Sequence, residues 1–71
     1  MAGEIVAEMV ANVMSVAVEP GDKVAAGDVV ILLESMKMEI PVLTEQAGTL
    51  AELRVQEGDV VQEGDILAVV Q

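Results

Sequence analysis

The 71-residue chain contains no cysteine, no histidine and no phenylalanine, tyrosine or tryptophan. Without Cys or His it has no disulfide staple, no thiol chemistry, no common zinc site and no Ser–His or Cys–His nucleophile pair. Without aromatic rings it cannot stack on bases or sugars. Positive charge is scarce as well: three Lys and Arg stand against thirteen Asp and Glu, a formal net charge of −10. Phosphate backbones are repelled, so nucleic acid and anionic membranes are poor partners, and neither is expected. No uninterrupted apolar run exceeds the five residues of Val29 to Leu33, far short of a bilayer span. Met1-Ala2-Gly3-Glu4-Ile5 lacks the basic start and apolar stretch of a signal peptide. A cytoplasmic protein is expected.

What is present is apolar: 54% of the residues, enough for one packed core. A chain of this length allows a single domain over residues 1–71, with a thin core worth roughly 5 kcal/mol net. Met1 and a last strand ending at Gln71 suggest a complete chain.

The core is written twice. A shift of 37 residues aligns the halves without gaps: Val18 falls on Val55, Gly21 on Gly58, Asp22 on Asp59, Val24 on Val61, Gly27 on Gly64 and Asp28 on Asp65. Each second Gly-Asp pair leads into an apolar run, Val29 to Leu33 or Ile66 to Val70. Upstream, Val13, Val16 and Val18 match Leu50, Leu53 and Val55. Their spacing of three and then two departs from the strand period of two, which predicts a bulge near Met14–Ser15 and another near Ala51–Glu52.

Each half reads as strand, turn, short strand, turn, strand. The Gly-Asp pairs are turns, Gly supplying positive φ and Asp an acceptor for nearby backbone amides; Pro20 suits a turn beginning at Glu19. The acids sit on separate turns without the alternating spacing of a calcium loop, so no metal is expected. Val and Ile favour strands between the turns. Neither half can bury an apolar face alone. Packed together they make an all-β flattened barrel or sandwich of two pseudo-twofold-related four-stranded halves. The repeat places the connection at residues 35–38 at one end and both termini at the other. Pro41, in the strand after that connection, cannot donate to a ladder and points to an edge or an irregularity.

The connection itself, Glu34-Ser35-Met36-Lys37-Met38-Glu39, contains no Gly, Asn, Asp or Pro. A two-residue hairpin needs positive φ at its centre, at about 1–2 kcal/mol per ordinary L-residue. Such conflict between local preference and fold is expected at functional sites. The alternative is that Lys37 is an ordinary surface lysine and that the two methionines close one end of the core.

This segment resembles the attachment motif of biotinyl domains, the carrier modules of biotin-dependent carboxylases. The usual motif has Ala before Met-Lys-Met, where this chain has Ser35. The resemblance spans nearly the whole chain: Val18 through Leu33 is similar to the family's first half, and Ala47-Gly48-Thr49-Leu50 with Val55 through Val70 to its second. It is nearest to the small free-standing biotinyl proteins of actinobacteria. Two departures stand out. Ala7-Glu8-Met9-Val10-Ala11 replaces the common Ala-Pro-Met-Pro-Gly, and there is no inserted thumb.

The resemblance implies that Lys37 is the site of covalent biotin, attached by a biotin protein ligase through biotinyl-adenylate. It further implies that the ureido nitrogen then carries a carboxyl group from a biotin carboxylase site to a carboxyltransferase site. The chain itself is then a non-catalytic carrier. Met36 and Met38 resemble the family's ligase-recognition residues, and Glu34 and Glu39 are candidates for the same contact or for a solvated acidic rim. Beside a domain excised from a larger carboxylase, two other readings compete. One is a lipoyl carrier, whose modified lysine usually lies between Asp and Ala rather than between methionines. The other is an acidic protein-interaction module that is never modified.

Overall fold

The structure, a computed structural model, describes residues 3–71. Eight strands follow in chain order: β1 (Gly3–Val6), β2 (Ala11–Val16), β3 (Lys23–Val24), β4 (Val29–Ser35), β5 (Met38–Leu43), β6 (Gly48–Leu53), β7 (Val60–Val61) and β8 (Ile66–Val70). The described residues include no helix. All pairings are antiparallel and form two four-stranded sheets, ordered β1-β8-β6-β3 and β5-β4-β2-β7.

The expected repeat holds strand for strand, since β5 to β8 repeat β1 to β4. The halves do not stack as two separate layers, however. Each sheet takes two strands from either half: β1 and β3 flank β8 and β6, while β5 and β7 flank β4 and β2. Half one therefore has no sheet of its own, and the two halves fold only together. Repeat periodicity reveals which residues are equivalent, but it carries no information about which strand edges meet.

Backbone hydrogen bonds make the interlocking explicit. Gly21 N donates to Leu50 O at 2.7 Å and Leu50 N to Asp22 O at 2.8 Å; 37 residues away, Gly58 N donates to Val13 O at 2.9 Å and Val13 N to Asp59 O at 2.8 Å. Gly27 and Gly64 likewise donate to Thr44 O and Ala7 O. Each Gly-Asp turn is thus bonded to the opposite half. All four glycines have φ between 91° and 96°, the third position of a type II turn. The following Asp amide closes the turn, and its carboxylate accepts the amide of the turn's first residue, as in Asp22 Oδ2 from Glu19 N at 2.9 Å. The same bond recurs at Asp28, Asp59 and Asp65.

The two expected bulges are present. Register shifts fall between Val13 and Ser15 on β2 and between Leu50 and Glu52 on β6. They let Val13 and Leu50 point inward, where both are buried. The core collects further equivalent pairs, Val24 with Val61, Val30 with Leu67 and Leu33 with Val70. Thr44, the equivalent of buried Ala7, is the one buried polar residue among those described. Its hydroxyl donates to Gln46 O at 2.8 Å and accepts from Gln46 N at 3.2 Å, so its burial leaves no orphaned polar atom.

Gly3 pairs with Val70, and the symmetry mate of that pair is Ile40 with Leu33, two pairs below the last one of the β4–β5 hairpin. β5 runs from that hairpin toward Gln46, which lies against Gly3. Gly3 and Gln71 therefore sit at the end opposite the hairpin. Pro41 lies in β5, an edge strand of its sheet, as its missing donor requires.

Candidate functional site

β4 and β5 pair in register to the end of the hairpin: Leu33 with Ile40, Glu34 with Glu39, Ser35 with Met38. Two residues remain for the turn, Met36 with φ 53° and Lys37 with φ 64°. Positive φ at both central positions is the signature of a type I′ turn, which matches the right-handed twist of the flanking strands. Asn-Gly is its usual sequence. These are the only non-glycine residues with positive φ among those described, so the backbone strain of the fold is concentrated on the lysine and its neighbour.

The methionines do not close the core. Met36 is 91% exposed and Met38 63% exposed, which removes the packing explanation for both. Lys37 is exposed between them. Among the described residues the single ion pair is Arg54 with Glu52, at 3.3 Å. Lys37 is therefore held by neither a carboxylate nor a cover, and its Nζ is free to meet another protein. Below the turn, half-buried Glu34 faces exposed Glu39 across the ladder. Two like charges directly opposite are mildly destabilising, and they put a negative collar under the lysine.

One bond braces the tip from the side: Ser35 Oγ donates to Val10 O at 3.2 Å, linking the hairpin to the β1–β2 connection. In the sequence Ser35 stands out only as a departure from Ala, because the tie depends on a residue 25 positions away. Beside it Val10 is 62% exposed, an apolar neighbour that neither periodicity nor the repeat singles out.

A groove of about 310 Å³ runs between β1 and β5 and is lined by pairs 37 residues apart, among them Ile5 with Val42 and Leu33 with Val70. It straddles the pseudo-twofold axis and does not include Met36, Lys37 or Met38. The distinctive residues thus stand on a projection rather than in a pocket. No group of three or more acidic residues among those described could hold a metal ion. No described helix is long and apolar enough to cross a membrane. The described residues thus form a β-scaffold with one uncovered lysine on a strained turn.

The family model described as "Biotin-requiring enzyme" matches residues 1–70, and the chain belongs to this biotin/lipoyl family. A biotinylated protein TB7.3 homolog of Mycobacterium leprae is 53% identical over 70 residues, covering 99% of either chain. A biotin/lipoyl attachment protein of Bacillus subtilis is 45% identical over 60 residues, covering 84% of this chain and 82% of that one. Among solved structures, the urea carboxylase of Kluyveromyces lactis matches all of this chain with a TM-score of 0.93 and 32% identity. The chain spans 6% of that enzyme's length. The lipoyl domain of the 2-oxoglutarate dehydrogenase complex of Azotobacter vinelandii gives a TM-score of 0.77 and 25% identity, over 94% of this chain and 95% of that one.

Proposed function

We propose that the protein is a biotin carrier with Lys37 as its attachment residue. The observation that carries this reading is the two-residue turn, in which an uncovered lysine follows a 91% exposed methionine and precedes a 63% exposed one. The biotinylated relatives favour biotin over lipoate, as do the methionines in place of the lipoyl pattern's Asp and Ala.

The residues present fit a long acyl group. Lys37 points away from the core on a turn that nothing covers, so an acylated side chain displaces no packed atom. In the attachment step the Lys37 ammonium gives up one proton to the ligase, the freed Nζ lone pair forms a C–N bond to the carboxyl carbon of adenylated biotin, AMP leaves with the electrons of the broken C–O bond, and a second proton passes from nitrogen to solvent as the amide forms. The ammonium charge is lost with the proton, and the chain becomes one unit more negative. Met36 and Met38 offer the ligase soft apolar contacts on either side of the nucleophile. The turn fixes the backbone from which they project, so the order to be gained on docking is confined to their side chains. Glu34 and Glu39 form an acidic rim below them that suits a basic border on the ligase. Biotin, when bound, supplies the ureido nitrogen that takes up and releases a carboxyl group. The chain's own contribution is reach and rigidity, with no bond-making group nearby.

Carboxylase relatives, among them a biotin-dependent acyl-coenzyme A carboxylase subunit of Mycobacterium leprae that is 41% identical over 64 residues, support biotin carboxylase and carboxyltransferase components as the partners. An ATP-dependent ligase suits a cytoplasmic setting. Replacing Lys37 by Arg tests the site. The variant folds normally and takes up no biotin; biotin retained on it would move the attachment to Lys23, the other lysine of the chain.

A further inference from the structure

Four methionines lie among the described residues, and their exposure differs sharply. Met36 is 91% exposed, Met38 63% and Met9 39%, while Met14 is only partly exposed on β2. Exposure of a long apolar side chain to this degree is unfavourable for solubility and is not required by the turn, which prefers Asn-Gly. It also leaves the thioether of Met36 open to small oxidants on nearly every side. The chain has no cysteine, so no thiol of its own competes for such an oxidant. Thioether oxidation is reversible in cells, because dedicated reductases return each sulfoxide epimer to methionine.

We propose that Met36, and after it Met38, are sites of reversible oxidation, and that the sulfoxide at Met36 slows attachment at Lys37. This rests on the carrier reading given above. In the step, the Met36 sulfur lone pair attacks one oxygen of hydrogen peroxide. An S–O bond forms, the O–O bond breaks, the sulfur is oxidised by two electrons, and the other oxygen leaves as water after proton transfer. The product is a polar sulfoxide in place of a soft apolar thioether. It stands at the first central position of the turn, one residue from the nucleophile, where a ligase pocket shaped for the thioether would have to desolvate a strong acceptor with no donor to meet it. The fold is spared, since neither Met36 nor Met38 contributes to the buried cluster. The same exposure makes the change reversible, because a reductase can reach a turn that protrudes from a folded protein.

The test uses the full chain before attachment. It is treated with hydrogen peroxide, sulfoxides are located over time by peptide mass mapping, and the oxidised protein is then given an active biotin ligase with biotin and ATP. Met36 is expected to oxidise first, Met38 second and Met14 last, with an unchanged unfolding midpoint. The ligase kcat/KM on the Met36 sulfoxide should fall by roughly tenfold, the scale of losing one soft apolar contact and desolvating a polar group. Treatment with methionine sulfoxide reductases should restore it. Met36→Leu should keep its modification rate through peroxide treatment if Met36 is the controlling site. Oxidation of Met14 ahead of Met36, or an unchanged kcat/KM on protein mapped as Met36 sulfoxide, would overturn the proposal. Failure of the untreated protein to take biotin on Lys37 is a different result, and it would overturn the carrier reading beneath it.

Discussion

Ser35 donates its hydroxyl to the carbonyl of Val10 at 3.2 Å, and this is the side-chain bond that ties the lysine-bearing hairpin to the rest of the barrel. The bond lies at the surface, so it is worth the low end of a neutral hydrogen bond, about 0.5 kcal/mol. Ser35→Ala, which restores the residue usual in the motif this segment resembles, should therefore leave the unfolding midpoint nearly unchanged. Amide exchange at Met36, Lys37 and Met38 should quicken, because the turn loses its brace. Exchange that is unaffected there would show that the two-strand ladder alone holds the tip.

The strain in the turn gives a second expectation. Met36 adopts φ 53°, a conformation that Asn tolerates and most side chains resist. Met36→Asn should raise stability by about 1 kcal/mol, which for a chain of this size lifts Tm by about 4–8 °C. Biotin attachment should slow in the same variant, because the apolar side chain beside Lys37 is gone. Stability and modification moving in opposite directions is the outcome expected where a strained residue is kept for recognition.

Two glycines should fail for different reasons. A Cβ on Gly27 would meet nothing within 4 Å, yet φ there is +93°. Gly27→Ala thus costs backbone strain alone, about 1–3 kcal/mol, felt as a global loss of stability. A Cβ on Gly48 would instead run into the backbone carbonyl oxygen of Gln71. Thr49 and Gln71 exchange two hydrogen bonds, at 2.7 and 2.8 Å, so Gly48→Ala should pry that pair apart and speed amide exchange at Thr49 and Gln71. Both variants leave the hairpin intact, and the chains that fold should still be modified at Lys37. Hydrogen exchange read residue by residue separates the two mechanisms.

Much of this architecture is written in local patterns. The Gly-Asp turns, the two bulges and the edge position of Pro41 each follow from a rule that operates within a few residues, and the structure bears them out. The strained turn at Met36-Lys37 was legible through absence, since a reversal that lacks Gly, Asn, Asp and Pro has to be made from unsuitable residues. The exposure of Met36 and Met38 was less so. Core closure and surface display use the same apolar residue, and only the packed fold separates them. The exchange of strands between halves left no local mark either, because β1 can be recognised as the mate of β5 without revealing that it pairs with β8. The Ser35–Val10 tie and the exposed Val10 beside it belong to the same category, joining segments 25 residues apart.

We propose Lys37 as the residue to which biotin is attached. The most direct measurement is intact mass with peptide mapping, after the chain is incubated with biotin, ATP and an active biotin ligase. One biotin per chain is expected, on the peptide that contains Met36-Lys37-Met38, and none on the peptide that contains Lys23. No addition, or addition on Lys23, would contradict it.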